Sequence, residues 1–159
     1  MTGSLLLRNR QHTRRVNLQL LRRRTTALLE EHFKTDSFDL AVYFVAAPEM
    51  THLNETFLHH RGSTDVITFD YSEKADAPIH AEIFICVDEA LRQARRFKTT
   101  WQSELARYLI HGLLHLQGHD DLRPATRRKM KLKENELHGK WAGQFSLTTI
   151  SGRLRAKAR

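Results

Sequence analysis

The segment 101–117 most constrains the fold, because its apolar residues repeat at the spacing of a helix with one buried face. On a helical wheel the leucines of this segment fall within about 80° of arc: Leu105, Leu109, Leu113 and Leu116. His111 and His115 lie one turn apart on a different side of the same helix. Thr100 is the predicted N-cap, and Gly118 stands where helices commonly end. The segment therefore predicts a core helix that presents two histidines together.

The rest of the chain predicts strands mixed with further helices. Runs rich in β-branched and aromatic residues predict strands at 38–46, 65–70 and 81–87, with a shorter candidate at 5–8. Amphipathic spacing and end signals predict helices at 16–33, 48–58, 89–98 and 124–137, the third of them capped by Asp88. We therefore predict an α+β fold, a single domain with a small mixed sheet packed with about five helices. The domain would span residues 1–143, and 144–159 would form a basic, loosely held C-terminal tail.

The charge of the chain favours a polyanionic partner. Lysine and arginine number 26 against 18 acidic residues, which gives a formal net charge of +8. The cations cluster at 14–24, 92–98 and 123–133. A solvated helix face explains any one cluster, whereas several in one small domain favour binding to phosphates. Nucleic acid is therefore the predicted partner class, and a membrane surface is not, because no basic cluster lies opposite a strong apolar face.

Cysteine usage and hydropathy indicate the compartment. The single cysteine, Cys86, excludes an internal disulfide framework and is typical of a reducing environment. No apolar run approaches the roughly 20 residues that span a bilayer, and the first apolar stretch is too short for a secretory signal. We therefore expect a cytoplasmic protein.

The histidine helix and the turn after it have the spacing of a metal site. His111 and His115 can direct ring nitrogens at one ion. Gly118 can adopt a positive φ and reverse the chain, so that Asp121 returns to the same ion as a third ligand. His119 is the alternative third ligand, since imidazole is the better intrinsic zinc donor. The pattern predicts a zinc site at His111, His115 and Asp121, the alternative being that both histidines are satisfied side chains of a buried helix.

One position separates this pattern from that of the zinc peptidases. Those enzymes place a glutamate directly after the first histidine as general base, and here that position is Gly112. A metallopeptidase is therefore the less favoured alternative. Glu104 is a candidate for orienting one of the histidines from behind the metal.

Residues 111–121 (HGLLHLQGHDD) resemble the histidine motif of the YbeY-type endoribonucleases. Blocks at 9–11, 53–57, 63–69 and 81–85 are similar to further motifs of that family, in the same order. The resemblance implies a single α+β domain with a mixed four-stranded sheet, a zinc cofactor and single-strand-specific cleavage of RNA. It also implies a role in ribosomal RNA processing (16S rRNA 3′ end maturation) and ribosome assembly. The implied partners are ribosomal RNA, the small ribosomal subunit and ribosome-assembly proteins.

Three residues depart from the family pattern. Asp121 stands where a third histidine is usual, Leu58 where an arginine is common, and Glu82 where an aspartate is usual. Arg61, three residues after Leu58, is predicted to take over the role of that arginine in stabilising charge on the phosphate. The predicted catalytic residues are thus His111 and Arg61.

The predicted reaction is metal-assisted phosphodiester cleavage, in which zinc polarises a phosphate oxygen or lowers the pKa of bound water. His59 and His60 are alternatives to Arg61 for stabilising charge or protonating the leaving oxygen, and a solvated loop is the structural alternative for all three. A different class of function also fits, a non-enzymatic zinc-containing ribosome-assembly factor. Four protein ligands would favour that structural site, and three ligands would favour an enzyme.

Overall fold

The computed structural model describes residues 3–34, 37–74 and 77–152. Within these residues four strands and five α-helices confirm the predicted α+β fold. They follow in the order β1 (Ser4–Asn9), α1 (Leu18–Glu31), β2 (Phe38–Val45), α2 (Ala47–Phe57), β3 (Val66–Asp70), β4 (Ile79–Cys86), α3 (Val87–Phe97), α4 (Trp101–Leu116), α5 (Pro124–Gln144) and a short 3-10 helix (Leu147–Ile150). None of the described helices is both long and apolar enough to cross a bilayer.

The four strands form one mixed sheet in the order β1-β2-β4-β3. Strands β1, β2 and β4 are parallel, and β3 runs antiparallel to β4 at the edge of the sheet. The register places Val42 beside Ile83 and Phe44 beside Ile85, so that fully buried side chains of adjacent strands share one face. This face carries the main core, beneath α1 and α4.

Helix α4 packs closely on the sheet at the turn that carries His111. Of its predicted leucine stripe, Leu105, Leu109 and Leu113 are buried and Leu116 is half-buried. Its N-cap is Thr100, whose hydroxyl accepts from the Ser103 N–H at 3.1 Å. A Cβ at Gly112 would lie 3.1 Å from two atoms of the Ile83 side chain. Because a larger residue there would crowd the Ile83 side chain, glycine allows the histidine turn to lie this close to the sheet.

Asp88 has a different role from the predicted one. Helix α3 begins at Val87, so Asp88 lies in its first turn and is not its N-cap. Its carboxylate accepts from the backbone N–H of Ala47 at 2.6 Å and from the Thr13 hydroxyl at 3.1 Å. Asp88 thus satisfies the start of α2, where Ala46 provides no side-chain cap.

The prediction of a loosely held tail is wrong for residues 145–152. Ile150 is 0% exposed, and its carbonyl accepts from the Asn17 N–H at 2.8 Å. Val16 and Ser151 form an isolated antiparallel bridge. The apolar residues of this segment fill a gap beside α1 and α4, which offsets the cost of ordering it. Residues 153–159 lie outside the described residues.

Candidate metal centre

The structure brings together the three side chains predicted as metal ligands. His111 Nε2 and His115 Nε2 are 3.1 Å apart, and Asp121 Oδ2 lies 3.9 Å from His111 Nε2. One ligand atom from each of the three residues lies within 4.8 Å of the others, a group that could hold a metal ion. The His119 ring is not part of this group among the described residues.

Gly118 returns Asp121 to the histidines in the predicted way. Its φ is +93°, a conformation that favours glycine. Its N–H donates to the His115 carbonyl at 3.0 Å, and the His119 N–H donates to the Leu114 carbonyl at 3.1 Å. These two bonds form a Schellman motif, which ends α4 and reverses the chain. Asp120 then fixes the turn by accepting from the Leu122 N–H and the Thr126 hydroxyl.

The hydrogen bonds of the two rings determine which nitrogens face each other. His111 Nδ1–H donates to Glu134 Oε1 at 2.8 Å, and His115 Nδ1–H donates to the His119 carbonyl at 3.1 Å. Because both acceptors lack a proton, Nδ1 of each ring is the donor, so that the neutral form of each ring has its lone pair on Nε2. Two lone pairs and the Asp121 carboxylate therefore converge, and a cation between them would relieve their repulsion. This donor set fits a divalent metal.

Burial favours the neutral form of the His115 ring. It lowers the pKa of His115, and the neighbouring His111 lowers it further. A neutral imidazole is the form that donates a lone pair to a metal.

The group that orients His111 is Glu134, a residue that was not predicted from the sequence. Glu134 on α5 is buried, with a side chain 5% exposed, and also accepts from Arg107 Nη1 at 2.7 Å and from Lys131 Nζ at 3.0 Å. Burial raises the pKa of Glu134, but the hydrogen bonds from His111, Arg107 and Lys131 outweigh it and lower the pKa to about 2. Glu134 is therefore an ionised carboxylate that holds the His111 ring in place.

Glu104, the candidate named for this orienting role, has a different partner. Its carboxylate accepts from the Thr99 hydroxyl at 2.7 Å. The available signal for Glu134 was its position on the buried face of α5, between Met130 and Leu137. A charged residue at a core position of a helix needs a partner, and that requirement points to a site.

Two clefts meet at the candidate metal centre, and His111 and Asp121 line both. The helical cleft, of about 320 Å³, lies between α3, α4 and α5. Its lining includes three cations: Arg107, Arg127 and Lys131. The strand cleft, of about 370 Å³, runs along β3. Its described lining residues include Asp65 and Asp70 and neither lysine nor arginine.

The loop that carries Arg61 lies between α2 and β3. Its conformation is held by the buried Asn54, whose Nδ2–H donates to the Gly62 carbonyl at 2.9 Å. Leu58 lines the strand cleft, whereas Arg61 is exposed and is not among the described residues that line either cleft. His59 and His60 are exposed on the same loop. The catalytic role of Arg61 stays a prediction.

The fold and the site define a small α+β protein in which two histidines of the core helix and an aspartate of the following turn meet between two clefts. The family model described as endoribonuclease YbeY matches residues 6–142. The chain belongs to this family, which confirms the resemblance seen in its motifs.

Named relatives agree with that membership. The endoribonuclease YbeY of Chlorobium phaeovibrioides is 41% identical over 108 residues, which cover 68% of this chain and 70% of the relative. The endoribonuclease YbeY of an Anaeromyxobacter species is 37% identical over 118 residues, 74% of this chain and 61% of the relative. The solution structure of TM1509 from Thermotoga maritima superposes with a TM-score of 0.62 at 25% identity, covering 98% of this chain and 100% of that one. The shared fold thus extends over nearly the whole chain.

Proposed function

We propose that this chain cleaves single-stranded RNA during ribosomal RNA maturation, with one zinc ion held by His111, His115 and Asp121. Endoribonuclease activity rests on membership of the YbeY family. The observation that carries the metal is the pair of Nε2 atoms, 3.1 Å apart, that converge with a carboxylate. Zinc fits this mixture of nitrogen and oxygen donors.

The residues around the site divide the work of cleavage. A bound zinc ion supplies a Lewis acid for phosphate oxygens and lowers the pKa of nearby water. Glu134 holds the His111 ring, and the His119 carbonyl holds the His115 ring. The cations of the helical cleft attract the phosphates of the RNA and place one phosphate beside the histidines. Arg61, which we propose as a catalytic residue, would add positive charge from the loop after α2.

The number of side-chain ligands favours an enzyme over a structural zinc site. Among the described residues three side chains form the group, and His119 contacts His115 through its backbone carbonyl. Three ligands leave a fourth coordination position open, as in catalytic zinc sites. A non-enzymatic assembly factor is therefore the second candidate.

Packing on the sheet disfavours a peptidase. The position where a zinc peptidase carries its general base is Gly112, and a Cβ there would already lie 3.1 Å from Ile83. A glutamate at this position would have to crowd the Ile83 side chain, which packs against the helix there.

We further propose that the chain acts in the cytoplasm on 16S ribosomal RNA near its 3′ end, in contact with the small ribosomal subunit and with ribosome-assembly proteins. The net charge of +8 and the clustered cations support a ribonucleoprotein partner. The same features give no support to a membrane partner.

Metal analysis combined with a cleavage assay tests the proposed function. Purified protein is expected to contain about one zinc ion per chain and to cut a ribosomal RNA precursor in its single-stranded regions. Chelation with EDTA should abolish cleavage, and added zinc should restore it. Cleavage that persists undiminished in a protein shown to be metal-free would contradict the metal-dependent mechanism.

The identity of the third ligand can be tested at Asp121. Asp121→Asn should weaken zinc retention by roughly 10-fold or more, because the amide oxygen is an uncharged and poorer donor. Asp121→His should retain the metal, because it restores the usual set of three histidines. His119→Ala is the control and should leave zinc content unchanged when titrated against a competing chelator. Loss of zinc from His119→Ala alone would show that the wrong residue is assigned.

Salt dependence tests the proposed binding of a polyanion. The logarithm of the affinity for single-stranded RNA should fall with that of salt, with a slope of about 0.7 per phosphate contact. The triple variant R127A/R128A/K129A should reduce this slope by up to about 2 without releasing zinc, because these residues are outside the ligand set. The matched control removes three exposed cations that line neither cleft (R8A/R23A/K140A). Equal slopes for the α5 variant and wild type would argue against this surface.

A further inference from the structure

Phe97 is unusually exposed for a phenylalanine. It is the last residue of α3 and lies on the same helix face as the buried residues Val87, Ala90 and Ala94. Its side chain is nevertheless 60% exposed. The helix ends directly after it, because Lys98 adopts a left-handed conformation with φ +56°. The Arg96 guanidinium lies over one face of the ring, 5.3 Å from its centroid. Apart from this contact, most of the Phe97 ring is exposed and is not packed into the core.

The ring faces the same cleft as the candidate metal centre. Phe97 and Gln93 of α3 line the helical cleft together with His111 and Asp121. Arg127 lines it from α5, where its Nε–H donates to the Asp121 carbonyl at 3.2 Å. A flat apolar surface, cationic groups and the ligand group thus share one continuous depression.

We infer that Phe97 is the stacking platform for an unpaired base of the RNA strand, held in the helical cleft beside the cleaved phosphate. This inference rests on the proposed function. An aromatic face flanked by arginines is the combination that binds single-stranded nucleic acid, the ring taking the base and the cations taking the phosphates. A base within a duplex has both faces covered by its neighbours and cannot reach the ring. Phe97 would therefore favour unpaired RNA.

The contrast between the clefts indicates which part of the strand is held. The helical cleft combines the platform with three cations and four carboxylates, whereas the described lining of the strand cleft has three carboxylates and Leu58 and no lysine or arginine. We expect the RNA to be bound tightly on the side of the metal formed by α3 and α5, and to be bound weakly on the other side, along β3. Specificity for an unpaired nucleotide would then apply to one side of the cleavage position.

Binding of matched oligonucleotides tests Phe97. Affinity of the purified full-length protein is measured by fluorescence anisotropy for a short single-stranded RNA and for an abasic ribose-phosphate strand of equal length. The RNA is checked for integrity on a gel after each titration. Phe97→Ala should weaken binding of the base-containing strand by about 5- to 150-fold and leave the abasic strand unaffected. Phe97→Trp should retain or improve the affinity.

Two controls keep the result specific. Leu132→Ala removes another exposed apolar side chain, 65% exposed and outside the helical cleft, and should leave both affinities unchanged. Metal-dependent cleavage by the wild type is measured separately, so that a failed nuclease assay beside intact base-dependent binding refutes the proposed function alone. An equal loss on both strands, no loss, or the same loss in Leu132→Ala would overturn the stacking role.

Discussion

Purified His111→Ala or His115→Ala protein is expected to contain little zinc and to lose nearly all RNA cleavage. Each substitution removes one of three side-chain ligands and leaves a pair that cannot retain the ion against water. The loss of metal affinity should exceed the roughly 10- to 100-fold that removal of an outer partner costs. Zinc is measured by elemental analysis after dialysis, and cleavage is measured on a single-stranded RNA with and without added zinc.

A histidine away from the site provides the control for these variants. His80 lies on β4 with an exposed side chain and takes no part in the ligand group. His80→Ala should retain zinc and activity at the wild-type level. Wild-type zinc content in both the His111 and the His115 variant would refute the site.

The second large effect is expected for Glu134→Ala. Without this carboxylate the His111 ring loses the acceptor of its Nδ1–H, so zinc affinity should fall by about 10- to 100-fold. The variant also removes the shared acceptor of Arg107 and Lys131. Those cations remain partly exposed and can be rehydrated, so the free energy of unfolding should fall by only about 1–3 kcal/mol. Chelator competition and urea unfolding measure the two effects.

Glu136 provides a matched control on the same helix. Its carboxylate is exposed and pairs with Lys133, so Glu136→Ala should change neither zinc affinity nor stability appreciably. If Glu134→Ala behaves like this control, the carboxylate does not position His111. Comparison with Glu134→Gln separates charge from geometry, since the amide oxygen can still accept from the ring.

Short-range signals predicted the histidine helix and the turn after it. Leucine spacing, the Thr100 cap and Gly118 all act within a few residues, and the structure confirms each of them. Glu134 could not be found in the same way, because it meets His111 from a different helix, 23 residues along the chain. Only the packing of α5 on α4 brings the carboxylate to the ring, and no local pattern encodes that packing.

The fold shows the same difference between features set by local signals and features set by long-range contacts. Periodicity placed the strands and helices with errors of a few residues at their ends. The end of α5 is the exception, since this helix continues past the predicted residue 137 to Gln144. The order β1-β2-β4-β3 depends on long-range pairing and was not predicted, since the family resemblance implied only a mixed four-stranded sheet. The misassigned cap at Asp88 has the same origin, since its partner Ala47 lies 41 residues earlier. The segment after α5 was misjudged because its few apolar residues stand among serines and threonines, show no period and are followed by the basic residues of 153–159.

The contact between residues 16–17 and 149–151 has a consequence for biosynthesis. Asn17 bonds to the Thr149 carbonyl across 132 residues, and the fully buried Ile150 completes the core beside α1 and α4. A nascent chain that stops short of residue 150 therefore leaves apolar surface of these helices open to water. Small domains fold cooperatively, so we expect the fold to become stable only after residue 150 has been synthesised. His111, His115 and Asp121 are synthesised well before that point, yet the surroundings that orient them arise only after it.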